Sequence, residues 1–151
     1  MEHKDLAAQL FLEGYNCSQS VMVAFTDLTG LDKNFAARMA SSFGGGMGRM
    51  REVCGAVSGM LMVAGILYGY DDIHDPRAKR EHYQLVQNLA GQFRDRVGSI
   101  VCRDILKNPP SDPNPSERTA EYYKVRPCAR MVMLASEILD NYIREHPYAE
   151  R

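Results

Sequence analysis

The chain lacks an excess of charge of either sign. Eighteen lysine and arginine residues are balanced by nineteen aspartate and glutamate residues, which gives a formal net charge of −1 at pH 7. A protein that binds nucleic acid through the phosphate backbone needs a strongly basic surface. We therefore expect no nucleic-acid partner.

The sequence also lacks the features of an exported protein. Its first ten residues, MEHKDLAAQL, contain charged residues where a cleavable signal peptide has an apolar core. We therefore expect a cytoplasmic protein whose thiols stay reduced. The segment 53–70 has eighteen residues without a charge, the length of a short membrane span. Its four glycines dilute the hydrophobicity, and we interpret it as a buried helix.

Strand-like alternation is scarce, and apolar residues recur at helical spacing along most of the 151 residues. The pattern predicts a single domain over 1–151, an all-α bundle of six or seven helices around the central segment. Helical stretches are predicted at 2–13, 16–30, 32–42, 50–68, 75–98, 99–106, 116–124 and from 127 through 142. The proline-rich segment KNPPSDPNPSE at 107–117 predicts an exposed, irregular loop rather than a domain boundary.

The chain has four cysteines, Cys17, Cys54, Cys102 and Cys128. None forms a CxxC pair, which excludes thioredoxin-like and zinc-ribbon spacings. The first follows the predicted N-cap Asn16, the second lies near the start of the central helix, the third comes three residues after the candidate cap Ser99, and the fourth follows Pro127. Amide donors are unpaired at a helix start, and a thiol there has a lowered pKa.

These cysteines carry a family resemblance. Cys17, the segment CGAVSG at 54–59, Cys102 and Cys128 together resemble a family of redox-active proteins named for the pattern C, CGAxxG, C and C. The resemblance covers nearly the whole chain. It implies four functional thiols, a redox role and frequent association with transport genes, without implying a known reaction.

Three interpretations of the thiols remain open. In the first, all four cysteines ligate an iron–sulfur cluster or a zinc ion. In the second, they form one or two dithiol/disulfide couples that exchange electrons with a donor or acceptor protein. In the third, they are structural. A further alternative is a non-catalytic redox or metal sensor associated with a transporter. The two redox interpretations predict that the four sulfurs meet at one site.

A glycine-rich stretch precedes the second cysteine. We predict a cofactor-binding role for Gly44, Gly45 and Gly46, whose amides could face an anion or a sulfur ligand; the alternative is a tight turn. Arg49 and Arg51 follow and are expected on a solvated face; the alternative is that they stabilise a thiolate. Small residues on the central helix, four positions apart, would also permit a homodimer.

Overall fold

The computed structural model describes residues 1–149, and its regular structure is helical throughout, which confirms the predicted all-α fold. The helices are α1 (His3–Glu13), α2 (Cys17–Ala24), α3 (Thr26–Thr29), α4 (Lys33–Ala40), α5 (Gly44–Met47), α6 (Gly55–Tyr68), α7 (Pro76–Val97), α8 (Cys102–Leu106), α9 (Ala120–Val125) and α10 (Cys128–Glu145). A 3₁₀ turn over Ser41–Phe43 joins α4 to α5. Within residues 1–149 the β-structure amounts to one isolated antiparallel bridge between Val53 and Val101.

Helix α6 is the centre of the core. It packs against α2, α7 and α10, while α1 packs against α2 and α10. A Cβ atom added at Gly59 would lie 2.8 Å from the carbonyl oxygen of Ser18 and 3.0 Å from the Cβ of Val21, so this glycine permits the close approach of α2. Among the described residues, no helix combines the length and apolarity that crossing a membrane requires.

The predicted caps determine where several helices begin. The side chain of Asn16 accepts a hydrogen bond from the Gln19 amide at 2.9 Å, and the Gln19 side chain accepts one from the Asn16 amide at 3.1 Å. This capping box begins α2, as the sequence predicts. Asp75 and Pro76 likewise begin α7.

Three predicted boundaries are wrong for local reasons. The helix expected to continue to residue 30 breaks at Phe25, where the Thr26 hydroxyl donates back to the carbonyl oxygen of Val23 at 3.0 Å. The central helix begins at Gly55 rather than near residue 50, because the preceding residues have left-handed backbone. Helix α9 is capped by Thr119 rather than by Ser116.

His3 ties the first and last long helices together. Its Nδ1 lies 2.8 Å from a carboxylate oxygen of Asp140 on α10, and its Nε2 lies 2.9 Å from Asp27 on α3. Both ring nitrogens can donate only when the imidazole is protonated. The hydrogen bond to Asp140 is the largest influence on the His3 pKa and raises it, against the lowering effect of burial.

A raised pKa predicts a pH-dependent contribution to stability. The contribution is fully present below the unfolded-state histidine pKa of about 6.5 and is lost as the pH rises through the higher folded-state pKa. We expect His3→Gln to lower the free energy of unfolding by about 1 kcal/mol at acidic pH and by much less in alkaline solution. Urea unfolding of both proteins near pH 6 and pH 9 checks this. His74→Gln, in an exposed turn, is the matched control, and equal losses at both pH values would contradict the prediction.

Candidate functional site

All four cysteines line one cavity, with a volume of about 280 Å³. Cys54, Cys102 and Cys128 are buried and Cys17 is partly exposed, and all four are free thiols. Cys17, Cys102 and Cys128 are the first residues of α2, α8 and α10, and Cys54 is the N-cap of α6. The predicted placement of the cysteines at helix starts is therefore confirmed, except that Val101 and not Ser99 precedes α8 at the N-cap position.

The glycine-rich stretch forms a left-handed turn beside the cavity. Five successive residues have positive φ: Gly45 (66°), Gly46 (70°), Met47 (68°), Gly48 (59°) and Arg49 (68°). The carbonyl oxygens of Gly44, Gly45 and Gly46 accept hydrogen bonds from amides five or six residues later, at 3.4, 3.3 and 2.9 Å. A residue with a Cβ pays roughly 1–2 kcal/mol in this conformation. Glycine at three of the five positions therefore limits the cost of the turn.

Glycines also permit the close approach of the elements that bear Cys17 and Cys102. A Cβ added at Gly46 would lie 2.7 Å from the Cβ of Cys102, and one at Gly55 would lie 3.1 Å from the Cβ of Cys17. A Cβ at Gly44 would overlap the side chain of Asn16, the residue that caps α2. Gly44, Gly45 and Gly46 all line the cavity. Their cofactor-binding role stays a prediction, whereas their part in packing is visible.

The isolated bridge joins the segments that carry two of the cysteines. The amide of Cys54 donates to the carbonyl oxygen of Ile100 at 2.7 Å, and the amide of Cys102 donates to that of Glu52 at 2.6 Å. These two bonds flank the Val53–Val101 pair. The start of α6 and the start of α8 are thereby held side by side at the cavity.

Cys17 and Cys128 form the most closely coupled pair. The interaction between their thiols is the largest cause of opposite pKa shifts in the two residues. The pKa of Cys128 falls to about 7, because Cys17 donates to its thiolate and because Arg126, Arg118 and Arg51 lie nearby, in opposition to burial. The Cys17 pKa is raised well above its ordinary value. Of the two residues, Cys128 therefore ionises first as the pH rises.

The other two cysteines remain protonated at neutral pH. Burial raises the pKa of Cys54 to about 12, although the backbone amides of Ala56 and Val57 in the first turn of α6 oppose the rise. Burial also raises the Cys102 pKa, against the opposing hydrogen bond from Arg51, whose Nη1 lies 3.7 Å from the Cys102 sulfur. A helix start alone thus does not make a thiol acidic in this protein.

The expectation that Arg51 lies on a solvated face is wrong. Its side chain is 4% exposed, and its Nε donates to the carbonyl oxygen of Pro110 at 2.9 Å. Arg49 reaches the same carbonyl oxygen through Nη2 at 3.5 Å. The left-handed turn directs Arg51 inward, which periodicity alone does not predict.

The proline-rich loop forms part of the cavity wall. Most of its residues are exposed, as predicted, but Pro113, Pro115 and Ser116 line the cavity together with Arg118. The Arg118 guanidinium donates to the carbonyl oxygens of Phe11 and Tyr15 at 2.8 and 3.0 Å. This cation fixes the end of the loop to the turn before Cys17.

Sequence reasoning missed Arg118 and Arg126. Arg126 comes two residues before Cys128, a position close enough along the chain to have marked it as a candidate. No sequence signal marks Arg118 in the same way, because it reaches the cavity only through the conformation of the loop.

The ligand role predicted for the four cysteines stays a prediction. Within residues 1–149, no three cysteine, histidine, aspartate or glutamate side chains are grouped so that they could hold a metal ion. The histidines do not line the cavity either, as far as the described residues extend. The arrangement seen is one of free thiols beside arginines.

Replacement of Gly46 tests the packing of the turn. We expect Gly46→Ala to destabilise the protein by about 2 kcal/mol or more, because the new Cβ meets Cys102 and the backbone is left-handed. Gly65→Ala is the control: no atom lies within 4 Å of its added Cβ, and alanine in a helix is favoured by about 0.5–1 kcal/mol. Urea unfolding measures both. The prediction fails if the two variants are equally stable.

The rate of alkylation tests the ionisation of Cys128. We expect reaction with iodoacetamide, followed at this residue by peptide mass spectrometry, to be half-maximal near pH 7. Arg126→Gln should move the midpoint upward, whereas Arg144→Gln, exposed near the far end of α10, should leave it unchanged. A midpoint at the ordinary thiol value of about 8.5 in the unmodified protein would contradict the assignment.

Comparison with known proteins places these residues in a family. The family model described as "Putative redox-active protein (C_GCAxxG_C_C)" matches residues 15–142. The printed pattern places glycine before its motif cysteine, whereas here Val53 precedes Cys54 and Gly55 follows it. Neither the comparison with curated proteins nor that with solved structures gives a match. Since the match covers most of the chain, from before Cys17 to beyond Cys128, the protein belongs to the C_GCAxxG_C_C family of redox-active proteins.

Proposed function

We propose that this protein is a thiol–disulfide redox protein whose reactive couple is Cys17 and Cys128. The observation that carries the proposal is that both cysteines lie on the wall of one cavity, where each has the largest influence on the pKa of the other. A thiolate stabilised by a neighbouring thiol and by cations is the nucleophile in disulfide exchange. Family membership supports a redox role and leaves the reaction open.

The exchange follows from the ionisation of the pair. The Cys128 thiolate attacks one sulfur of a substrate disulfide, which breaks the substrate S–S bond and forms a mixed disulfide. The departing thiolate takes up the proton of Cys17. The resulting Cys17 thiolate attacks the Cys128 sulfur, forms the internal disulfide and releases the second substrate thiolate, which is protonated by solvent. The substrate gains two electrons and two protons, and a reducing thiol or dithiol must restore the protein.

The surrounding residues support each stage of this sequence. Arg126, Arg118 and Arg51 stabilise the attacking thiolate by their charge. Cys17 lines the cavity beside Cys128, which is the route by which a reductant would reach the internal disulfide. Cys54 and Cys102 line the same cavity, but their thiols are less acidic. They are not required for the exchange as written.

Cysteine substitutions test the couple. We expect Cys128→Ser to abolish reaction of the reduced protein with 5,5′-dithiobis(2-nitrobenzoate) at the active thiol near neutral pH. Cys17→Ser should react at Cys128 and then accumulate the mixed disulfide, because Cys17 is the thiol that resolves it and the Cys54 and Cys102 thiols are less acidic. Cys54→Ser, which removes a thiol of the same cavity, should still form the internal disulfide. Intact-mass and peptide-mapping measurements distinguish the three products.

The same preparations decide between this proposal and the alternatives. Protein purified without oxygen is assayed for iron, zinc and visible absorption. Stoichiometric metal that is lost on replacement of any one of the four cysteines would overturn the dithiol proposal in favour of a metal site. If the internal disulfide forms but the protein does not repeatedly reduce a disulfide substrate in the presence of excess reductant, the redox sensor is favoured. Sustained turnover would favour the enzyme.

A further inference from the structure

The cavity that contains the thiols has an unbalanced charge. Four arginines line it, Arg49, Arg51, Arg118 and Arg126. None of the described lining residues is an aspartate or a glutamate. The ion pairs found within residues 1–149 involve none of these arginines. Asp112 is near enough to Arg49 for its pKa to be lowered in part by that cation, but it does not line the cavity.

The hydrogen bonds of these arginines leave their charge uncompensated. Arg118 and Arg51 donate to backbone carbonyl oxygens, which are neutral acceptors. The Arg126 guanidinium lies over the Tyr122 ring, with its carbon 5.4 Å from the ring centroid. This guanidinium has no hydrogen-bond acceptor among the described residues. Arg49 has a buried Nε that is also without a partner in that part of the chain. One thiolate at Cys128 offsets only part of this charge.

The rest of the wall is mostly apolar and the space is small. The apolar lining includes Phe11, Ile105, Leu106, Pro113, Tyr122 and Met131. A volume of about 280 Å³ is close to the lower limit of small-molecule sites, about 300 Å³. Such a cavity fits a small organic molecule with an apolar body and an anionic end.

We propose that the cavity selects small organic disulfides that carry carboxylates, with a carboxylate held by Arg126 while the disulfide reaches Cys128. This substrate class rests on the proposed dithiol function. Guanidinium groups bind carboxylates through charge-assisted hydrogen bonds, often bidentate. The same positive field that stabilises the thiolate would attract an anionic disulfide and disfavour a cationic one.

Three disulfides of similar length and different charge test the proposal. They are 3,3′-dithiodipropionate, a dianion; bis(2-hydroxyethyl) disulfide, which is neutral; and cystamine, a dication. The oxidation rate of the reduced full-length protein is measured with each, and each rate is divided by that of free 2-mercaptoethanol with the same disulfide. This division removes the intrinsic reactivity of the reagents. We expect the dianion to exceed the neutral disulfide by about tenfold or more at low ionic strength, and high salt to reduce the ratio.

Substitution of Arg126 separates substrate binding from thiolate activation. Arg126→Gln slows all three reagents if it raises the Cys128 pKa, so the informative quantity is the ratio of the dianion rate to the neutral rate. We expect this ratio to fall by about tenfold in Arg126→Gln and to be largely retained in Arg126→Lys. Arg144→Gln, remote from the cavity, should leave it unchanged.

The outcomes distinguish the two proposals. Equal rates for the three disulfides, a preference for cystamine, or oxidation only by a protein disulfide would overturn the substrate class and leave the dithiol function standing. If none of the three disulfides oxidises the protein although its thiols are intact and titratable, both the substrate class and the dithiol function are overturned. A dianion preference that depends on Arg126 supports the substrate class.

Discussion

The absence of a Cβ atom at three glycines is the constraint on which the cavity depends. Gly46 lies against Cys102, Gly55 against Cys17, and Gly44 against Asn16, which caps the helix of Cys17. Any larger residue at these positions would separate the helix starts that bear the cysteines. The left-handed turn adds a second consequence, because it directs Arg51 into the protein. The glycine-rich turn therefore determines both the close packing of the helix starts and the buried position of the Arg51 charge.

Electrostatics then distinguishes four thiols that the chain places in similar local positions. Each cysteine lies at or beside a helix start, where unpaired amides favour a thiolate. Burial opposes that effect and dominates at Cys54. Cys128 differs because a hydrogen-bonding thiol and three arginines outweigh burial. The interaction between Cys17 and Cys128 shifts their pKa values in opposite directions, a difference that neither residue would show alone.

Local signals made much of the fold predictable. The Asn16 capping box, the Asp75–Pro76 start of α7 and the terminating glycines Gly14 and Gly98 depend on interactions within a few residues, so the sequence displays them directly. Of the helix starts at the cysteines, that of α2 follows from such a side-chain cap, whereas α6, α8 and α10 begin without one. The helix break at Phe25 was missed, because helical periodicity continues across it. The glycine-rich turn was predicted, but not its left-handed backbone as far as Arg51, which helical periodicity does not register.

The candidate site was predictable only as a set of cysteines. Their convergence depends on contacts between segments 26 to 111 residues apart, from Cys102 to Cys128 and from Cys17 to Cys128. The inward direction of Arg51 and the position of Arg118 depend on the conformations of two irregular loops. Such contacts arise in the tertiary structure and leave no periodic pattern in the sequence. The arginines, whose charges help Cys17 to lower the Cys128 pKa, were therefore the part that the pattern of cysteines could not supply.

The degree of thiolate stabilisation bears on the direction of electron flow. Stabilising a thiolate favours the reduced form of a couple, and couples whose attacking thiol has a pKa near 3.5 are strong oxidants for this reason. Acidity also reduces nucleophilicity, so attack is fastest when the thiol pKa lies near the ambient pH. At about 7, Cys128 combines a large thiolate fraction with substantial nucleophilicity and only moderate stabilisation of the reduced form. An anionic substrate would place its charge beside the same arginines, so the field that makes Cys128 acidic would also compensate the carboxylate. Once oxidation removes the thiolate, the bound carboxylate would be the anion that remains beside those cations.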